Sequence, residues 1–150
     1  EGGYSLSHLL RLSAYRYAGR EDHGGVLCHR LDFSPDEENP KSGLSGKFAN
    51  AMAGSLWISV DGHHLAGARS RSLRPISLYL SLGKVHHLEL TMESRPAAGG
   101  VWLPQRIEVT TRARILIKSI RRRNLYEYSA YEPAQPRAGT GEGPGSGSPE

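Results

Sequence analysis

The residue types in this chain that could do chemistry are its seven histidines, its single cysteine and its arginines. Four of the histidines form adjacent pairs, His63-His64 and His86-His87. A metal ion needs ligands that converge from one side. Neighbours along a strand point to opposite faces, so neither pair chelates by itself, and no cysteine or placed carboxylate joins them. The pairs read as exposed or lightly packed side chains, with no metal site. Cys28-His29 sets a thiol beside an imidazole, but the same divergence separates them and no glycine-flanked nucleophile elbow is present. Cys28 is expected to be a buried structural thiol. The acidic run Asp36-Glu37-Glu38 reads as loop solvation. With no phosphate-cradling glycine loop and no HExxH, no catalytic constellation emerges, no enzyme activity is expected and no cofactor is implied.

The basic residues are more informative. Arg106, Arg112, Arg114, Lys118, Arg121, Arg122 and Arg123 precede Tyr126, Tyr128 and Tyr131. Arginines and aromatics on a sheet bind single-stranded nucleic acid through phosphate contacts and base stacking. Two other readings compete. One is a solvated face whose charges block edge pairing. The other is contact with anionic lipid head groups at a membrane surface.

These residues lie in one stretch, 99–131, which also carries the clearest pattern. Ile107, Val109, Thr111, Ala113, Ile115 and Ile117 share one parity. Arg106, Glu108, Thr110, Arg112, Arg114 and Lys118 share the other, with Leu116 as the apolar exception. A period of two makes a strand with one apolar and one cationic face. Past Lys118-Ser119 the parity changes, which predicts a turn or bulge and a return strand.

The same logic runs along the rest of the chain. Leu6, Leu9, Leu10 and Leu12 have roughly helical spacing, so 1–12 is expected to be a lead-in carrying the end of a helix. A strand with Tyr15 and Tyr17 on one side meets the turn signal Asp22-His23-Gly24-Gly25 and returns over 26–33, where Leu27, His29, Leu31 and Phe33 share a face. Residues 34–47 read as a polar loop. Gly54, Leu56, Ile58 and Val60 alternate up to Asp61-Gly62, a two-residue hairpin signal. The small run Ala66-Gly67-Ala68 lets the return strand sit beneath something bulky. Residues 73–82 read as either a strand or a helical link. Over 85–94, Leu88, Leu90 and Met92 point inward, with His87, Glu89, Thr91 and Glu93 outward.

Composition sets the bounds. The 150 residues allow one domain with a moderate core. An apolar fraction of 37%, with 18 Gly and 9 Pro, indicates that part of the chain is unpacked. That part is expected to be 133–150, a Gly/Pro/Ser-rich tail without large apolar anchors. A net charge of +4 does not demand a nucleic-acid partner. One cysteine leaves no intrachain disulfide. The sequence shows neither a signal peptide nor an apolar run of membrane-spanning length, and starting at Glu1 it reads as a processed product or fragment.

Three blocks carry a resemblance: LDFSPDE at 31–37, GSLWISVDGHHLAGARS at 54–70, and GVWLPQRIEVTTRARILIKSIRRRNLYEYSAY at 100–131. In order and spacing they resemble the C-terminal half of bacterial proteins of the outer-membrane lipoprotein-sorting (LolA/LolB-like) superfamily. The likeness covers roughly 13–132. Ser59 and Ala130 stand where that pattern usually has acidic residues, and an N-terminal part of the family domain is missing. The resemblance implies a half-barrel whose apolar concave face holds acyl chains, in the periplasm or elsewhere in the cell envelope, and it brings no catalytic residue.

The expectation is therefore an all-β domain over 13–132. It is a curved antiparallel meander of about seven strands, a half-barrel or incomplete barrel with at most a short helix. Its expected work is binding a lipid acyl chain or lipidated protein. The lining residues would be Leu56, Ile58, Leu88, Leu90, Ile107, Val109, Ile115 and Ile117, each of which is otherwise ordinary core. The rival is a nucleic-acid or anionic-surface module on the Arg/Tyr strands 106–131.

Overall fold

Alternation of apolar and polar side chains is realised as strands along most of the chain. The computed structural model describes residues 11–78 and 82–129. Its strands are β1 (Ser13–His23), β2 (Val26–Pro35), β3 (Met52–Ser59), β4 (Leu65–Ser72), β5 (Ile76–Ser77), β6 (Gly83–Pro96), β7 (Trp102–Ile115) and β8 (Lys118–Glu127). One helix, α1 (Gly43–Ala49), lies between β2 and β3. The strands form a single antiparallel sheet in the order β1-β2-β3-β4-β6-β7-β8, with the short β5 paired beside β6. The expected meander is what forms, and it stays open, with β1 and β8 as its edges. Residues 79–81 of the ambiguous 73–82 segment lie outside the described residues, as does the whole tail from 133. Of the lead-in only Arg11, which is helical, and Leu12 fall within them.

The turns depart from expectation in two places, each for a local reason. Gly24-Gly25 closes β1–β2 as expected, both glycines at positive φ (61° and 85°), and the Gly25 N–H donates to Asp22 Oδ1 at 3.0 Å. Between β3 and β4, however, the connection is five residues, 60–64, instead of a two-residue Asp61-Gly62 turn. Ser59 explains this. Its buried Oγ donates to the Asp61 carbonyl (2.7 Å) and accepts from the His64 N–H (2.9 Å), so a side chain closes a wider loop. Between β7 and β8 the turn is Leu116-Ile117, ahead of the expected Lys118-Ser119. Leu116 adopts φ 54°, a left-handed conformation that costs a bulky L-residue about 1–2 kcal/mol.

The stretch 34–47, expected as loop, contains most of α1. Seven residues with two glycines carry no amphipathic repeat, so periodicity misses the helix. It is held by tertiary bonds. The Lys41 N–H donates to Asn50 Oδ1 (2.9 Å), and Asn50 Nδ2 donates to the Lys41 carbonyl (2.7 Å). Gly46 permits this closure, because a Cβ there would lie 2.5 Å from the Lys41 backbone. Phe48 then packs on Ala51, Met52, Ile76, Val85 and Ala113, the core at this end of the sheet.

Candidate functional site

Register decides which side chains share a face, since a one-residue slip would move every one to the other side. One row of paired residues crosses all seven long strands: Tyr17, Leu31, Leu56, Ala68, Met92, Ile107 and Tyr126. The adjacent row on the same face runs Tyr15, Phe33, Gly54, Ser70, Leu90, Val109 and Asn124. Phe33, Leu56, Ala68 and Met92 are buried, with Leu31, Leu65, Leu90 and Ile107 packed against them. Among the described residues, every member of this cluster comes from the strands. Burial raises the pKa of the Tyr15 phenol.

The expected lining residues divide accordingly. Leu56, Leu90, Ile107 and Val109 lie in the two rows, and Ile58 sits beside them in the His29–Ile58–Leu65 row. Leu56 is buried, while the other four are half-buried. Leu88 belongs to the α1 end, packed against that core. Ile115 ends β7 and is 44% exposed. Ile117 is a correction: parity placed it on the apolar face, but it sits in the β7–β8 turn and is 92% exposed.

The opposite face is polar, and it holds features that residue patterns did not disclose. Asp32 accepts from Ser55 Oγ (2.7 Å), Arg30 Nε (2.8 Å) and Arg16 Nη2 (3.1 Å). These bonds, Ser55's first and Arg30's next, hold its carboxyl below the usual range. Glu108, bonded by Arg123 Nε at 2.7 Å, is held down in the same way. Between these groups lies a cleft of about 500 Å³ lined by Arg69, Glu89, Thr91, Glu93, Arg106 and Thr110. Glu108 itself lines it, so two guanidinium groups share the cleft with three carboxylates.

At the β1–β2 turn end, the polar face carries a small second core. Cys28, Trp57 and Ala66 are buried there, with Trp102 packed on them. The His23 ring stacks on Trp57 (centroids 4.3 Å, planes 17° apart) and His64 stacks on Trp102 (5.7 Å, 14°). Cys28 is fully buried, and burial followed by the nearby Asp22 charge pushes its thiol up. His63 and His86 are exposed, and His87 lies 3.6 Å from Glu89. Among the described residues, no three His, Cys, Asp or Glu side chains are grouped to hold a metal ion. The small Ala66-Gly67-Ala68 run was the available signal for this stack, since it leaves room over β4 for the His23 ring.

What class of protein this sheet defines rests on its own geometry: no family model, curated protein or solved structure matches the chain.

Proposed function

We propose that the chain is a non-enzymatic binding protein of the cell envelope, which takes an acyl chain or lipidated partner against the apolar face of its sheet. The observation that carries this reading is the apolar row from Tyr17 to Tyr126. It crosses six strand spacings, about 29 Å at ~4.8 Å each. One leaflet of a bilayer core is about 15 Å deep, so an extended acyl chain fits within the row. Each methylene moved from water to such a surface gains about 0.8 kcal/mol. Leu31, Ile58, Leu90, Ile107 and Val109 are only half-buried and so keep surface to offer. The likeness of the sequence motifs to lipoprotein-sorting proteins supports the same reading.

Val109→Glu tests it, with Thr110→Glu as the control. The two positions adjoin on β7, but Val109 lies in an apolar row while Thr110 lines the polar cleft. A carboxylate set against an acyl chain has no partner, and its burial costs several kcal/mol. Binding of a fluorescent fatty acid should weaken about tenfold or more with Val109→Glu and stay within about twofold with Thr110→Glu. Circular dichroism of both variants must show the sheet retained. An unmutated protein that binds no probe, or a Val109→Glu variant that binds normally, refutes the proposal.

A further inference from the structure

The β7–β8 turn breaks the rules of its own local chemistry. A two-residue hairpin turn with positive φ at its first position calls for Gly or Asn. Here the position is Leu116 at φ 54°, followed by Ile117. Both project outward, 65% and 92% exposed. The Leu116 N–H donates to the Leu82 carbonyl at 2.8 Å, which brings a third exposed aliphatic side chain, Leu82 (54%), alongside them. Ile115 (44%) completes an apolar knuckle at one end of the sheet.

Cations surround this knuckle. Lys84 pairs with Arg114 and Arg112 with Arg121 directly across the ladder, like charges opposed where opposition destabilises. Lys118 and Arg122 stand on the same hairpin. Among the described residues none of these six has an ion pair, and no Asp or Glu occurs in 82–88 or 111–122. An exposed aliphatic cluster, strained backbone and unpaired like charges all raise the energy of the free protein at one place. A single environment relieves the exposed aliphatics and the opposed charges together, and so offsets the cost of the strained turn that presents them: a hydrocarbon boundary for the aliphatics with anionic groups just above it.

We infer that the β7–β8 hairpin tip docks on anionic lipid bilayers, with Leu116 and Ile117 entering the acyl boundary and the surrounding cations meeting the head groups. This site is separate from the apolar sheet face, so either assignment can fail without the other.

Vesicle co-sedimentation tests it, using phosphatidylcholine vesicles with and without phosphatidylserine. The full chain should bind only those with phosphatidylserine, and added salt should release it. The paired substitution Leu116→Gly with Ile117→Asn gives the turn the residues its backbone prefers, so thermal stability should hold or rise while vesicle affinity falls about tenfold or more. Lys118→Gln and Arg121→Gln should each cost about fivefold. The inference is overturned by equal binding to neutral vesicles, by no binding to anionic ones, or by a turn variant that binds like the parent. It is also overturned if single-stranded RNA is bound tightly and indifferently to the turn substitutions, since the cations would then serve nucleic acid.

Discussion

Gly67→Ala should destabilise this protein, although replacing a strand glycine by alanine normally helps. Alanine restricts the unfolded chain and gains about 0.4–1 kcal/mol where it fits. At Gly67 it does not fit. An added Cβ would lie 2.3 Å from His23 Nε2 and 3.0 Å from its Cδ2, against a comfortable separation of about 3.5–4.0 Å. The ring is not free to retreat, because it is stacked on Trp57 at 4.3 Å and moving its Nε2 corner away from Gly67 disturbs that stack. Overpacking of this kind costs about 1–3 kcal/mol. Losing the stack instead costs about 0.5–1.5 kcal/mol. After the entropic gain, the net loss is at most about 2 kcal/mol and about 1 kcal/mol at mid-range, a fall in Tm of roughly 2–6 °C for a domain of this size. Urea unfolding followed by tryptophan fluorescence reads it, since Trp57 and Trp102 both belong to this cluster. The decisive comparison is a cycle with His23→Ala, in whose background Gly67→Ala should become neutral or stabilising. A stabilising Gly67→Ala in the parent, or a coupling to His23 below about 0.5 kcal/mol, would show that the reasoning is wrong.

Two further outcomes follow from the polar face and the buried thiol. Because Asp32's folded pKa is depressed, its contribution is fully present above the ordinary carboxylate pKa of ~3.9 and disappears as pH falls through the lower folded value. Asp32→Asn should therefore cost about 1–2 kcal/mol at neutral pH and progressively less in acid; urea melts giving one constant difference at every pH would contradict this. Cys28, fully buried with its thiol pushed up, should react with an aromatic disulfide reagent about a thousandfold or more slower than in the unfolded chain, at a rate that climbs with urea; prompt labelling of the native protein would contradict its burial.

Strands and faces were legible in the sequence because their information is local. Leu88–Met92 alternates strictly and Arg106–Ile115 nearly so, and pairing by register carries that alternation across the sheet. Four elements of the structure were not legible, each governed by something that a period cannot express. The helix α1 is set by bonds between Lys41 and Asn50, nine positions apart. The width of the 60–64 loop is set by the Ser59 hydroxyl. The Leu116-Ile117 turn carries residues that argue against a turn, so reading by residue type placed it two positions late and assigned Ile117 to the apolar face. The His23–Trp57 stack joins residues 34 apart in sequence, and only the smallness of Gly67 hinted at it.

The meander also ranks its ladders by the entropy of closing them. The turns Gly24-Gly25 and Leu116-Ile117 span two residues each, whereas sixteen residues, 36–51, separate β2 from β3. Closure cost grows by about 0.6 kcal/mol per doubling of length, so joining β2 to β3 carries about 1.8 kcal/mol more than closing either edge hairpin. The cheapest pairings thus lie at the two borders of the sheet, while the buried row through Leu56 depends on the costliest. Part of that disadvantage is taken back by α1, which ties Lys41 to Asn50 and so shortens the span left to be ordered. A helix of seven residues, too short to nucleate alone, acts here as a clasp that lowers the entropic barrier between the two halves of the sheet.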